Sequence, residues 1–335
     1  RIPAALVSAE PQAGGSGRSA QTPRPDPSLT VPEGLVVVDK PKGWTSHDVV
    51  GRMRRLCGTR KVGHAGTLDP MATGVLIVGV GRGTKLLTHL VGADKTYEAT
   101  IRLGATTVTE DAEGELTGTA DAGAVAAVTD EQIRAAVAEL TGDLEQVPSA
   151  VSAIKVDGKR SYARVRAGEE VALEARPITV SRFDVTEIRR DRDALELDAV
   201  LDVSSGTYIR AIARDLGEAL GIGGHLSALR RTRVGALGLE QARELEALTG
   251  IVAGGAAVPS TSLDEAARAM FPARELTAQQ SVEIGQGKRI GPTGTGPGEL
   301  TAGFDPQGHV VALLEDRGRA EERTAKSVLV FQAQG

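Results

Sequence analysis

Residues 63–74 read Gly-His-Ala-Gly-Thr-Leu-Asp-Pro-Met-Ala-Thr-Gly, and an apolar run at 75–80 follows directly. Glycines at 63, 66 and 74 open backbone angles closed to other residues, and Pro70 fixes its own φ. The stretch predicts a punctuated loop feeding a buried strand. Its one carboxylate, Asp69, is then presented from a firm base, as a reacting group requires. Alone, Asp-Pro is an ordinary turn or cap, so the weight falls on what surrounds it.

Upstream, residues 35–38 form an aliphatic strand, and Thr45 with Asp48 predicts a capping box opening a helix whose apolar face is Val49, Val50, Met53 and Leu56. Downstream, Tyr97, Ala99, Ile101 and Leu103 alternate with Glu98, Thr100 and Arg102, as in a strand buried on one side. Thr129 and Gln132 open a second helix, 197–203 is a strand, and 209–220 is a helix stopped by Gly221. Strands outnumber helices without regular alternation. The expected class is therefore α+β, with a mixed, largely antiparallel sheet.

Residues 1–33 are rich in Pro, Gly, Ser and Ala, which predicts a disordered leader. A Gly/Ala-rich stretch at 250–257 predicts a linker. Beyond it, after a short helix near 263–270, lies a mostly β module with a hairpin turn at Asp305-Pro306-Gln307-Gly308. The expected organisation is a leader at 1–33, a catalytic domain at 34–260 and a small C-terminal domain at 261–335.

At 335 residues there is room for two domains and a large core. Aromatic residues make up only 2%, so the core is aliphatic and each of the three tyrosines stands out. A single cysteine, Cys57, excludes an internal disulfide and fits a cytoplasmic setting. No apolar run approaches the roughly 20 residues of a membrane span. The histidines at 47, 64, 89, 225 and 309 show no metal-ligand spacing. The glycine-rich 78–85 segment lacks both phosphate-loop and dinucleotide spacings. No metal and no cofactor is expected.

The net charge is −5, yet residues 47–93 hold seven Lys/Arg against two acids, while 105–150 hold ten acids against one arginine. Further basic groups gather at 155–166 and at Arg230, Arg231 and Arg233. Brought together, such clusters would make a face that tracks phosphates.

Five blocks in a fixed order carry a resemblance: 35–46, 62–74, Lys95-Thr-Tyr-Glu-Ala at 95–99, Gln146-Val-Pro-Ser-Ala-Val-Ser-Ala-Ile-Lys at 146–155 and Ser205-Gly-Thr-Tyr-Ile-Arg at 205–210. From about Gly34 to at least Ala242 the chain resembles the TruB family of bacterial tRNA pseudouridine-55 synthases. Its C-terminal module is similar to the RNA-binding PUA domain that ends such enzymes. The resemblance implies conversion of a uridine in the tRNA T-loop to its C-glycoside isomer, without metal, redox group or nucleotide. The implied partner is the T-arm stem-loop, with no membrane and no obligatory protein partner.

The family's aspartate falls on Asp69, as nucleophile or sugar-activating carboxylate. Burial drives a carboxylate toward its neutral form, so a cation is expected beside it. The resemblance supplies Arg210, whose forked donors suit a carboxylate. A flipped uracil needs an aromatic platform. Tyr97 matches the family's stacking tyrosine, Tyr208 a second pocket tyrosine and Leu229 an apolar pocket wall. His64 resembles the histidine that enters the RNA loop vacated by the flipped bases. Lys40 and Lys42 fall at a Lys-Pro turn of structural or RNA-facing role, and Asp111 is given no chemical role. Two rival readings are a non-catalytic RNA-folding protein on this scaffold and a synthase acting on rRNA or with a guide RNA.

Overall fold

The computed structural model describes residues 22–149, 155–156, 159–160, 173–191, 194–296, 298–319 and 323–331. Its main sheet is built from β1 (Gly34–Lys40), β2 (Val62–Ala65), β3 (Thr73–Val80), β4 (Lys95–Leu103), β5 (Gly142–Gln146), β6 (Arg176–Arg190), β7 (Leu195–Val203) and β8 (Gly224–Val234). The spatial order is β1-β3-β8-β4-β7-β6-β5, with β2 on β3 and short pairings at Arg243–Glu244 and Thr261–Ser262 against β1. Among the described residues of this sheet, only β3 with β8, and β1 with Arg243–Glu244, run parallel. The α+β, largely antiparallel class holds.

Helix α1 (Ser46–Leu56) starts at the Thr45 capping box, and Val49, Val50, Met53 and Leu56 are buried as the periodicity requires. Helix α2 (Asp130–Glu139) starts at the Thr129–Gln132 box. Helix α3 (Ile209–Ala219) ends before Gly221, whose φ of +70° is the left-handed value its position needs. All three contribute to one aliphatic cluster under β4, β7 and β8, including Ile101, Leu197, Leu201 and Leu226. Each such side chain contributes about 1.5–3 kcal/mol on burial.

Two expectations need correction. The 63–74 loop is shorter than its glycines imply: Gly63 to Ala65 belong to β2, in register with β3 through His64 and Val78. Short strands of small residues carry little periodic signal, and pairing with an apolar neighbour decides them. The 250–257 stretch is not a free linker, because helix α4 (Leu245–Ala253) runs through its first half and both Val252 and Val258 are buried. Glycine is tolerated there because tertiary packing outweighs its propensity.

In the leader, residues 1–21 lie outside the described residues. Residues 22–33 form no helix or strand, but Thr22 is buried and accepts from Arg52 Nη1 at 2.6 Å and Arg55 Nε at 2.8 Å. The basic stretch at 155–166 has no described side chains.

The C-terminal sheet, β9 (Ala273–Glu275), β10 (Leu300–Phe304), β11 (Val310–Arg317) and β12 (Thr324–Val330), includes the expected hairpin, with Gly308 at φ +85°. Phe304, Leu313 and Phe331 share a core with Leu35, Val37, Val75 and Ile77 from the outer face of β1 and β3. Lys85 Nζ also donates to Val330 O at 2.8 Å. The sheet therefore buttresses the strand that follows Asp69. No helix of the described residues is long and apolar enough to cross a membrane.

Candidate active site

Asp69 lies in the 66–72 connection between β2 and β3, and the loop is pinned on both sides of it. Ser46 Oγ, at the start of α1, donates to Leu68 O at 3.1 Å and accepts from Leu68 N at 2.9 Å. Pro70 O accepts from Gly43 N at 2.8 Å and from Lys40 Nζ at 3.3 Å. Lys40 is fully buried and also donates to Trp44 O at 2.6 Å, so it has a structural role. Burial lowers its pKa to about 8, opposed by Asp69.

Arg210, in the first turn of α3, is almost wholly buried. Its Nε meets Asp69 Oδ2 at 3.0 Å, and Asp111 Oδ2 stands 3.8 Å from the same nitrogen. Nη1 donates to Thr109 O at 2.9 Å and to Ser149 Oγ at 3.1 Å. The guanidinium is thus fixed at several points before it touches Asp69. Asp69 itself keeps 41% of its side chain exposed, facing a cavity of about 350 Å³. An ionised carboxylate beside a fixed, desolvated cation is oriented for work on whatever fills that space.

The cavity walls come from strand alternation. Tyr97 on β4 sits opposite Arg231 on β8, and Leu229 sits opposite Ala99, all facing one way. Tyr208, the residue before α3, closes another side. Its position is set by Gln146, whose side-chain amide accepts from Tyr208 N at 2.9 Å and donates to Tyr208 O at 3.1 Å. Asp69, Arg210, Tyr97, Tyr208 and Leu229 therefore line one cavity.

His64 does not line it. It stands half-buried on β2, its ring edge-on to His47 with centroids 5.7 Å apart. Burial, then His47, then Arg231 lower its pKa, so the neutral imidazole is favoured. A larger cavity of about 600 Å³, bordered by Glu98, Thr100, Asp198 and Arg230, shares only Leu229 with the first. Two of its charged groups are paired, Arg230 with Asp39 at 2.6 Å and Asp198 with Arg189 at 2.9 Å.

The Arg230, Arg231 and Arg233 cluster is not an open basic patch. Arg230 is held by Asp39, Arg233 by Thr96 and Asp202, and Arg231 is buried. Neighbouring strand positions send arginines to opposite faces, which adjacency in sequence conceals. Sequence reasoning gives Asp111 no chemical role, reads Arg231 only as part of a basic cluster, and does not single out Gln146 or Ser149. Gln146 and Ser149 fall inside one of the five matching blocks, and Arg231 follows Leu229 by two residues. Asp111 left no signal beyond an acidic turn.

Residues 54–209 match the TruB family pseudouridylate synthase N-terminal domain. Residues 210–266 match the tRNA pseudouridylate synthase B C-terminal domain, and 271–332 match the tRNA pseudouridine synthase II C-terminal pattern. A protein of Arthrobacter sp. (strain FB24) named tRNA pseudouridine synthase B is 58% identical over 308 residues, 89% of this chain and 96% of its own length. One of the same name from Mycobacterium ulcerans (strain Agy99) is 53% identical over 299 residues, 89% of this chain and 95% of its own length. Among solved structures, an H/ACA RNP bound to a substrate RNA containing 2′-deoxyuridine superposes with a TM-score of 0.68 at 23% identity, covering 91% of this chain and 86% of that one. A Cbf5-Nop10-Gar1 complex gives 0.67 at 23% identity, over 94% and 93%. These two share the fold, and with the sequence matches they leave one assignment: the chain belongs to the TruB family of pseudouridine synthases.

Proposed function

We propose that this protein is a tRNA pseudouridine(55) synthase, which isomerises uridine 55 of the T-loop. The N1–C1′ bond breaks, the uracil turns within the pocket, C5 joins C1′, and the C5 proton leaves to solvent while N1 takes one up. The change is an isomerisation with no net oxidation, so it calls on no redox group. The observation that carries the reading is the half-open carboxylate of Asp69, 3.0 Å from the buried guanidinium of Arg210, at the edge of a cavity walled by Tyr97, Tyr208 and Leu229.

In this reading Asp69 is the nucleophile or sugar-activating carboxylate and Arg210 keeps it aimed. Tyr97 stacks on the everted base and assists proton movement, and Tyr208 and Leu229 hold the uracil away from water. His64, just outside the cavity, fills the RNA loop from which the base has left. The tRNA T-arm stem-loop is the partner, with no obligatory protein partner, in the cytoplasm. Residues 34–260 carry the chemistry, and 261–335 form a PUA-like RNA-binding domain.

The test is release of label from a T-arm stem-loop carrying C5-tritiated uridine, using the purified chain alone. Wild type is expected to release label stoichiometrically from position 55. Asp69→Asn is expected to abolish release while changing stem-loop affinity by less than about threefold, as for a group acting only in the transition state. Release by Asp69→Asn, or modification only of another RNA or only with an added guide RNA, would overturn the reading.

A further inference from the structure

Arg231 is, with Lys40, the largest side chain wholly removed from solvent in the described structure. A buried guanidinium is costly unless something balances it, and a carboxylate is the usual partner. Arg231 forms no carboxylate ion pair among the described residues. Nε donates to Val75 O at 2.8 Å and Nη2 to Gly66 O at 2.8 Å. These two carbonyls bracket the connection that carries Asp69.

The backbone of Arg231 holds the same segment from below. It pairs with Gly74 across β8 and β3, and a Cβ on Gly74 would stand only 2.2 Å from Arg231 O. At the other end Gly66 has φ +71°, and a Cβ there would lie 3.3 Å from Arg231 Nη1. Gly74 thus admits the backbone at position 231, and Gly66 lies against the Arg231 guanidinium. The side chain also lines the cavity, directly across from Tyr97.

We infer that Arg231 is a positioning residue for the isomerisation: it clamps both ends of the Asp69 loop and sets the distance from Asp69 to the base stacked on Tyr97. It acts through the loop backbone, whereas Arg210 touches the carboxylate itself. Having no acid of its own keeps its donors on the loop carbonyls. The inference rests on the synthase reading given above.

The experiment compares wild type, Arg231→Lys and Arg231→Met in tritium release from the T-arm stem-loop, with rates expressed per folded molecule from thermal melts. A loop displaced by about 1 Å costs roughly 100-fold in rate, so Arg231→Met is expected to lose about that much kcat. KM is expected to change by less than about threefold, since uniform binding is untouched. Arg231→Lys restores one donated bond and is expected to recover part of the loss; if Arg231→Met does not fold, the same split is read on Arg231→Lys alone. A raised KM with normal kcat would make Arg231 an RNA contact and overturn the inference. Normal kcat and KM per folded molecule would reduce it to a packing role and equally overturn it. Inactive wild type would instead sink the synthase reading, which separates the two failures.

Discussion

Arg210 on α3 and Arg231 on β8 line the same cavity, and their surroundings differ in one respect. Arg210 lies between two carboxylates, Asp69 at 3.0 Å and Asp111 at 3.8 Å, while among the described residues Arg231 is bound by backbone carbonyls alone. Lys40 and Lys95 resemble Arg231 in this. Lys40 donates to the carbonyls of Pro41, Trp44 and Pro70, and Lys95 to those of Val91 and Ala93. A cation between carboxylates balances charge that the chemistry needs. A cation among carbonyls fastens chain. The site thus divides into a charge-handling cluster and a scaffold of buried donors.

The largest effect should come from Arg210. Arg210→Ala leaves Asp69 unaimed and strands Asp111, whose side chain is only 5% exposed, without a counter-charge. Turnover is expected to fall by about 100- to 1,000-fold, the usual cost of one preorganised charged donor. Arg210→Lys keeps the charge but loses the fork that serves Asp69, Thr109 and Ser149 together, and is expected to recover only part of the loss. Tritium release under single-turnover conditions reads both. A near-normal Arg210→Ala would erase the distinction between the two arginines.

Asp111→Asn should be milder. It removes the outer charge of the cluster but keeps an oxygen able to accept from Glu113 N and Thr109 Oγ1, as Asp111 Oδ1 does now. One acid at 3.8 Å from a guanidinium interacts by about 4 kcal/mol at an effective dielectric near 20, and only the part that differs between ground and transition state reaches the rate, so a loss of roughly fivefold to tenfold is expected. The single-turnover constant with KM unchanged is the expected signature. A loss as large as that of Arg210→Ala would show Asp111 to be an equal member of the chemistry.

What was legible in the sequence follows the same division. Capping boxes at Thr45 and Thr129, the alternation through Tyr97 and Leu103, and the stop at Gly221 are local signals, and each appears where its chemistry places it. Asp69, Arg210, Tyr97, Tyr208 and Leu229 were found through motif resemblance, and the fold gathers them from four separate segments of the chain. The scaffold was largely invisible. Nothing near Arg231 foretells that it ends against Gly66 and Val75, because register between β3 and β8 is a long-range property. Asp111 was hidden for the same reason: an acidic turn and an arginine 99 positions later meet only when α3 docks. The 250–257 stretch was misread because composition suggested a linker where buried Val252 and Val258 hold it down.

The smallest expected effect tests the carbonyl-bound cations by titration. Burial pushes Lys40 and Lys95 each down to about 8. The folded form therefore releases these protons near pH 8, while the unfolded chain holds them to about 10.4. Between those values the unfolded state binds more protons, so stability must rise with pH. Cys57 works against this, since burial pushes its thiol up to about 12 and the unfolded thiolate forms earlier. In a Cys57→Ala background, urea unfolding is expected to show stability rising by about 2.5 kcal/mol from pH 7.5 to 9. Adding Lys95→Met should remove about half of that slope and leave the Lys40 share. A flat profile would mean that these ammonium groups keep their ordinary protonation, and that carbonyls alone balance a buried charge as well as a carboxylate does.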